Sequence, residues 1–229
     1  MKAMILAAGK GERMQPLTRH TPKPLLPAGG KALIQYHVEK LAAAACEEII
    51  INHAWLGQQI EAFLGDGSQF GVKIRYSAEG EPLETAGGII RALPLLGSKP
   101  FLIVNGDIWT DYSFSSLLKR NAMQGLAHLV LVANPSHHPQ GDYYLEVDSG
   151  LVRKDVPVGA EALTYSGMAL IDPALFAGMS DGKMALAPVW ESYMAKDKVS
   201  GECYHGEWFD IGTVERLQAL ENYLQDKKR

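Results

Sequence analysis

The chain has 229 residues, 47% of them hydrophobic, and a formal net charge of −4. A chain of that size buries about 70–75% of its unfolded surface, enough for one large core. The acidic balance excludes the basic face on which polynucleotides bind, and no apolar run approaches the roughly 20 residues of a membrane span.

Two cysteines, Cys46 and Cys203, are too few for a disulfide framework and form no Cys-x-x-Cys spacing. About six apolar residues precede Gly9, short of the core of a secretion signal. The reading is a single cytoplasmic, monomeric domain over 1–229.

Residues 4–8 predict a short buried strand. The next stretch, 9–27, carries Pro16, Pro22, Pro24 and Pro27, each of which removes a backbone donor and biases its predecessor toward extended backbone. It is therefore a long loop, and Met14, Leu17, Leu25 and Leu26 predict that it packs. From 31 onward Leu33, Ile34, His37, Val38, Leu41, Ala42 and Ala45 recur at helical spacing, and 48–52 reads as a second strand. Strand, helix, strand is a βαβ unit, so the sheet is at least partly parallel.

A helix over 56–64 closes at Gly65, 72–76 alternates as a strand, and a turn-rich loop at 80–85 precedes a helix from about 86 to 96. The run 101–104 is a core strand ending in Asn105-Gly106-Asp107. Beyond it come a helix over 113–124, a strand over 127–133, a hairpin over 142–152 and a strand over 163–171. A helix over 189–196, a strand over 203–211 and a closing helix over 214–224 complete the chain. This order predicts an α/β protein with a doubly wound, Rossmann-like mixed sheet, mostly parallel with antiparallel insertions.

The loop after the first strand points to a phosphate ligand. Gly9 and Gly11 let backbone N–H groups approach an oxyanion, and Arg13 and Lys23 add charge-assisted hydrogen bonds worth roughly 1.5–3 kcal/mol each. Gly9-x-Gly11-x-x-Met14 lacks the third glycine of a dinucleotide fingerprint, and no Gly-x-x-x-x-Gly-Lys-Ser/Thr string occurs.

Ala7-Ala8-Gly9-x-Gly11-x-Arg13-Met14-x-Pro16-Leu17-Thr18, followed by Pro22-Lys23-Pro24-Leu25, closely resembles the signature of the sugar nucleotidyltransferases, or nucleotide-sugar pyrophosphorylases. The resemblance implies a glycosyltransferase-A-like nucleotidyltransferase fold. It puts a nucleoside triphosphate on Ala8, Gly9, Gly11, Glu12, Arg13 and Lys23, with Arg13 and Lys23 as the catalytic cations. Leu83-Glu84-Thr85-Ala86-Gly87-Gly88 resembles the family's Leu-Gly-Thr-Ala-Gly string, which implies that Leu83, Ala86 and Gly88 line the base pocket, with Glu84 where glycine is usual. Adjacent glycines at a helix start cost about 1 kcal/mol each relative to Ala; close approach of a ligand would explain them. Glu79 or Glu81 could bond the base edge or be a solvated loop charge.

In doubly wound sheets ligands bind beyond the C-terminal strand ends, where Asp107 stands. A carboxylate there can hold magnesium beside a triphosphate, or cap the following turn. Asp210, in Trp208-Phe209-Asp210-Ile211-Gly212-Thr213, can end a strand before a helix capped by Thr213; by resemblance it is the second magnesium ligand. Asn105, Gly141 and 164–167 fall where the family holds the sugar phosphate. The family's Glu-Lys-Pro string is absent, leaving Lys154 as the nearest candidate for its lysine, or as a solvated hairpin residue. His137, His138 and His205 form no metal spacing and read as surface or pocket-rim residues.

The resemblance thus implies magnesium-dependent nucleotidyl transfer to a sugar 1-phosphate, with the nucleotide bound by about 1–110 and the sugar by about 111–229. Leu83-Glu84-Thr85-Ala86-Gly87-Gly88 and Tyr165-Ser166-Gly167-Met168 are most similar to members that pair UTP with N-acetylmuramic acid 1-phosphate in cell-wall recycling. Mannose 1-phosphate guanylyl transfer and glucose 1-phosphate thymidylyl or uridylyl transfer remain alternatives. So does a non-catalytic nucleotide-sugar-binding subunit, although Arg13, Lys23, Asp107 and Asp210 together favour an enzyme.

Overall fold

A computed structural model describes residues 1–120 and 123–228. In chain order the first half holds β1 (Ala3–Leu6), a small hairpin of β2 (Pro27–Ala28) and β3 (Lys31–Ala32), α1 (Leu33–Ala43), β4 (Ile49–His53) and α2 (Gly57–Leu64). β5 (Ile74–Ala78), α3 (Glu84–Leu96) and β6 (Phe101–Asn105) follow. The second half holds β7 (Ile108–Thr110), α4 (Ser115–Leu118), β8 (Ala127–Val132), β9 (Tyr144–Glu146), β10 (Leu151–Arg153) and β11 (Thr164–Ile171). It ends with α5 (Leu186–Met194), β12 (Val199–Tyr204), β13 (Trp208–Asp210) and α6 (Val214–Asp226).

Among the described residues nine strands form one sheet, in the order β5-β4-β1-β6-β11-β8-β12-β10-β9. Only β11 and β10 run against the rest, each antiparallel to both neighbours. The expected doubly wound mixed sheet is therefore present.

Period-two alternation explains how both faces are covered. Ala3 and Ile5 of β1 share one face with Ile49, Ile51, Leu102 and Val104 and pack under α1 and α2. Met4, Ile50 and Ile103 point the other way, toward α3 and α5. With helices on both sides the central strands read as continuous apolar runs. A third cluster joins Met14, Leu26, Leu33, Trp109 and Ile211 to Leu217, Leu220 and Leu224 of α6. Met14 is fully buried there, an anchor worth about 1.5–3 kcal/mol that ties the glycine-rich loop to the last helix. Leu17, expected to pack, is exposed.

Two elements depart from the sequence reading. The helix expected over 113–124 is a single turn, Ser115–Leu118; part of that expectation, 121–122, lies outside the described residues. The run 203–211 is two strands in two sheets, because Asp111 accepts from both the Tyr204 hydroxyl and the Glu207 amide. That folds the chain at Gly206, where a Cβ would lie 2.0 Å from the Tyr204 oxygen.

Candidate active site

The chain leaves the C-terminal ends of β1, β4 and β6 side by side, with β1 pairing parallel to both, and the cleft opens above them. Asn52, at the end of β4, accepts from the Ala7 amide at 3.0 Å and donates to Glu79 at 2.5 Å. The other Glu79 oxygen accepts from the Leu83 amide at 2.9 Å. Glu79 is buried, so this carboxylate is a brace between two ligand-facing loops rather than a base-edge contact or a solvated charge. Gly88 faces the brace: a Cβ there would lie 2.4 Å from the Glu79 carboxylate and 2.7 Å from the Asn52 amide nitrogen. At Gly87 a Cβ would lie 2.2 Å from the Gly182 carbonyl oxygen. The paired glycines answer protein packing, not the ligand approach expected.

The glycine-rich loop folds as three single 3-10 turns, Glu12–Met14, Leu17–Arg19 and Lys23–Leu25. Gly11 has φ +66°, and a Cβ there would meet Thr18 at 2.9 Å; the Thr18 hydroxyl donates to the Gly11 carbonyl at 2.8 Å. Among the described residues the amides of Gly9, Lys10, Gly11 and Glu12 have no hydrogen-bond partner, which makes them free donors for an anion. Arg13 is exposed and pairs with no described residue. Lys23 is only 8% exposed, and its Nζ sits 2.6 Å from Asp107 Oδ2.

Three cavities converge on Asp107. The first is walled by residues of the strand ends and of the 82–85 loop, the second by Gly9 to Met14, the third by Asn105, Thr164 to Gly167 and Asp210. Gly9, Lys23 and Glu84 are shared by the first two, and Arg13 by the second and third. Ala8, Gly11 and Glu12 line this cleft. Leu83, Ala86 and Gly88 do not; Glu84 and Thr85 take that wall instead. Glu84 has φ +61°, the left-handed region that costs a side chain about 1–2 kcal/mol, and its carboxylate lies 3.5 Å from Lys183. That is backbone which glycine adopts without the penalty, in keeping with the Leu-Gly-Thr-Ala-Gly string this stretch resembles.

The segments that carry the two carboxylates adjoin in the small β7–β13 sheet. Asp210 pairs with Ile108, and the Ile211 amide donates to the Asp107 carbonyl at 2.9 Å. His37 of α1 holds the same segment by donating from Nε2 to the Ile108 carbonyl at 2.8 Å. Burial, and secondarily Lys40, push this imidazole down to about 4, partly offset by its hydrogen bond to Ile108, so it is neutral. Asp210 Oδ2 is bonded by Arg216 at 2.5 Å and lies 3.3 Å from His137. Thr213 caps α6 as expected, accepting from the Arg216 amide.

Asn105 lines the cleft and packs against Gly167. Gly141 and Lys154 are elsewhere. Gly141 is not among the residues lining the three cavities; a Cβ there would meet Asn134 and Ala162. The Lys154 ammonium is paired with Glu191 at 2.7 Å and lies over the Tyr143 ring, so no lysine from the hairpin reaches the cleft. His137, His138 and Arg216 line it without having been singled out as ligands; 79 residues separate His137 from Arg216, so no local spacing signals them.

The chain belongs to the nucleotidyl transferase family, whose pattern matches residues 2–155, and it is accordingly an enzyme. It is similar to the N-acetylmuramate alpha-1-phosphate uridylyltransferase of Neisseria meningitidis serogroup B, with 53% identity over 96% of this chain and 97% of that protein. Similarity to the protein of the same name from Caulobacter vibrioides is 33% over 98% and 97%. A Bacillus anthracis crystal structure, assigned as a glucose-1-phosphate thymidylyltransferase in complex with sucrose, shares the fold. Its TM-score is 0.85 at 22% identity, covering 99% of this chain and 96% of that one.

Proposed function

We propose that this enzyme transfers a uridylyl group from UTP to N-acetylmuramic acid 1-phosphate, with magnesium, releasing pyrophosphate and serving cell-wall recycling. The observation that carries the reading is the convergence of three cavities on Asp107, one for each part of a reacting pair: nucleoside, polyphosphate and acceptor. The choice of UTP and N-acetylmuramic acid 1-phosphate is supported by the near full-length similarity to the Neisseria protein.

The free amides of Gly9 to Glu12 and the unpaired Arg13 would hold the β- and γ-phosphates, which depart as pyrophosphate. Lys23 would steady the α-phosphate. Asn105 and the 164–167 strand would seat the sugar phosphate so that its oxygen attacks the α-phosphorus in line, without a covalent intermediate. Catalysis then rests on positioning and on neutralising charge at the α-phosphoryl oxygens.

The donor set fits magnesium. Asp107 and Asp210 stand on adjoining segments and line one cavity. Among the described residues no cluster of three or more His, Cys, Asp or Glu could hold a metal alone. That suits an ion which takes one or two carboxylates and completes its shell with substrate phosphates and water. Asp107 and Asp210 would hold the magnesium ion, which would supply positive charge to the reacting phosphates.

We read 1–229 as one catalytic domain acting as a monomer. Among the described residues no helix is long and apolar enough to cross a membrane, and a cytoplasmic site matches the supply of UTP. A pyrophosphate-release screen crossing four nucleoside triphosphates with several sugar 1-phosphates tests the function. Fastest release is expected from UTP with N-acetylmuramic acid 1-phosphate; no release from any pair would leave a non-catalytic binding protein.

A further inference from the structure

Arg216 lies across Gly212, where a Cβ would sit 2.1 Å from its Nη2, and lines the acceptor cavity beside His137 and His138. Both of its described side-chain bonds leave from Nη1, one to Asp210 and one to His137 Nε2 at 2.6 Å. A guanidinium has five N–H donors, so those on Nη2 and Nε remain for a ligand. That edge is a planar fork of the geometry that takes a carboxylate in two parallel hydrogen bonds. His138 is fixed beside it: Asp142 bonds its Nε2 at 3.0 Å with one oxygen and the Tyr165 amide at 2.8 Å with the other.

The nucleotide's phosphates already have the loop amides, Arg13 and Lys23. An N-acetylhexosamine 1-phosphate with no further acid brings one anion. A muramate brings a second, the carboxylate of its lactyl ether. We propose that Arg216, flanked by His137 and His138, forms a specificity-determining subsite for a carboxylate carried by the acceptor sugar in addition to its phosphate. This rests on the nucleotidyl-transfer reading above.

The test compares N-acetylmuramic acid 1-phosphate with its lactyl carboxamide, which differs only in the charge at that group. Both kcat/KM and calorimetric binding are measured for the wild type, Arg216→Gln, Arg216→Lys and His138→Gln. The wild type is expected to prefer the acid by about tenfold or more, the scale of one charge-assisted contact. Arg216→Gln brings the ratio close to one, whatever loss the two acceptors share, and Arg216→Lys restores part of it.

His138→Gln leaves both partners of Asp210 in place and lowers the ratio severalfold. It decides the question if the Arg216 variants do not fold. A wild-type ratio near one overturns the subsite. So does an unchanged ratio in the Arg216 and His138 variants, which would assign Arg216 to the phosphate or to Asp210. If no triphosphate and acceptor react, the nucleotidyl-transfer reading fails, and the binding ratio still decides the subsite.

Discussion

Removing the charge of Asp107 should damage the fold as well as the reaction. Lys23 is 8% exposed, and the carboxylate 2.6 Å from its ammonium is its one counter-ion among the described residues. Breaking a fully buried pair by deleting one partner costs roughly 3–5 kcal/mol. The Asp107 side chain is 38% exposed, so solvent screens part of the interaction, and about 1–3 kcal/mol is expected for Asp107→Asn. For a chain of this size that is about 3–9 °C in Tm. Lys23→Met in the same background removes the stranded charge and should recover about half of the loss or more.

Urea unfolding of the wild type, both single variants and the double variant measures the coupling. Each single change should also lower kcat/KM at least 100-fold, with no recovery of turnover in the double variant. Single variants as stable as the wild type, or losses that simply add in the double variant, would refute the pairing argument.

Three further perturbations separate binding from scaffold. Arg13→Ala removes a cation with no partner among the described residues, so Tm should stay within about 1–2 °C while kcat/KM for the triphosphate falls about 10–100-fold, the equivalent of one charge-assisted hydrogen bond; an equal loss of stability would place Arg13 in the scaffold. Gly88→Ala pushes a methyl to within 2.4 Å of the Glu79 carboxylate and should cost about 1–3 kcal/mol by overpacking, with a raised KM for the triphosphate as the hold of Asn52 on Ala7 loosens; unchanged unfolding would mean the brace gives way freely. His37, lowered to about 4 from an ordinary 6.5, takes up its proton in the unfolded chain first as pH falls. Its contribution is therefore intact above about pH 6.5 and lost toward pH 4, about 2–3 kcal/mol by pH 4.5. His37→Phe should flatten that part of the stability profile, and an unchanged slope would show that the ring titrates normally.

The glycine-rich loop was legible because its chemistry is local: glycines that free amides, prolines that forbid a helix, closely spaced cations, and Met14 as an anchor. The strand-end position of Asp107 was legible for the same reason. Its pairing with Lys23 was not, since the two are 84 residues apart and are brought together by the β1–β6 pairing and the fold of the loop after β1. Glu79 looked like a loop charge because a carboxylate is ordinarily solvated; Asn52 and the Leu83 amide satisfy it out of water. The glycines at 87 and 88 correctly marked a close approach, but by the Gly182 carbonyl and this carboxylate. The 203–211 run deceived because its residue types suit a strand throughout, while the corner is imposed by Asp111 from a distant segment.

Transfer of α-phosphorus label from UTP tests the central claim most directly. With N-acetylmuramic acid 1-phosphate and magnesium, label should enter a nucleotide sugar in amounts equal to the pyrophosphate released. It should do so only when both substrates are present, and Asp107→Asn should abolish it. Label held covalently on the protein, release from UTP without acceptor, or undiminished transfer by Asp107→Asn would contradict the account.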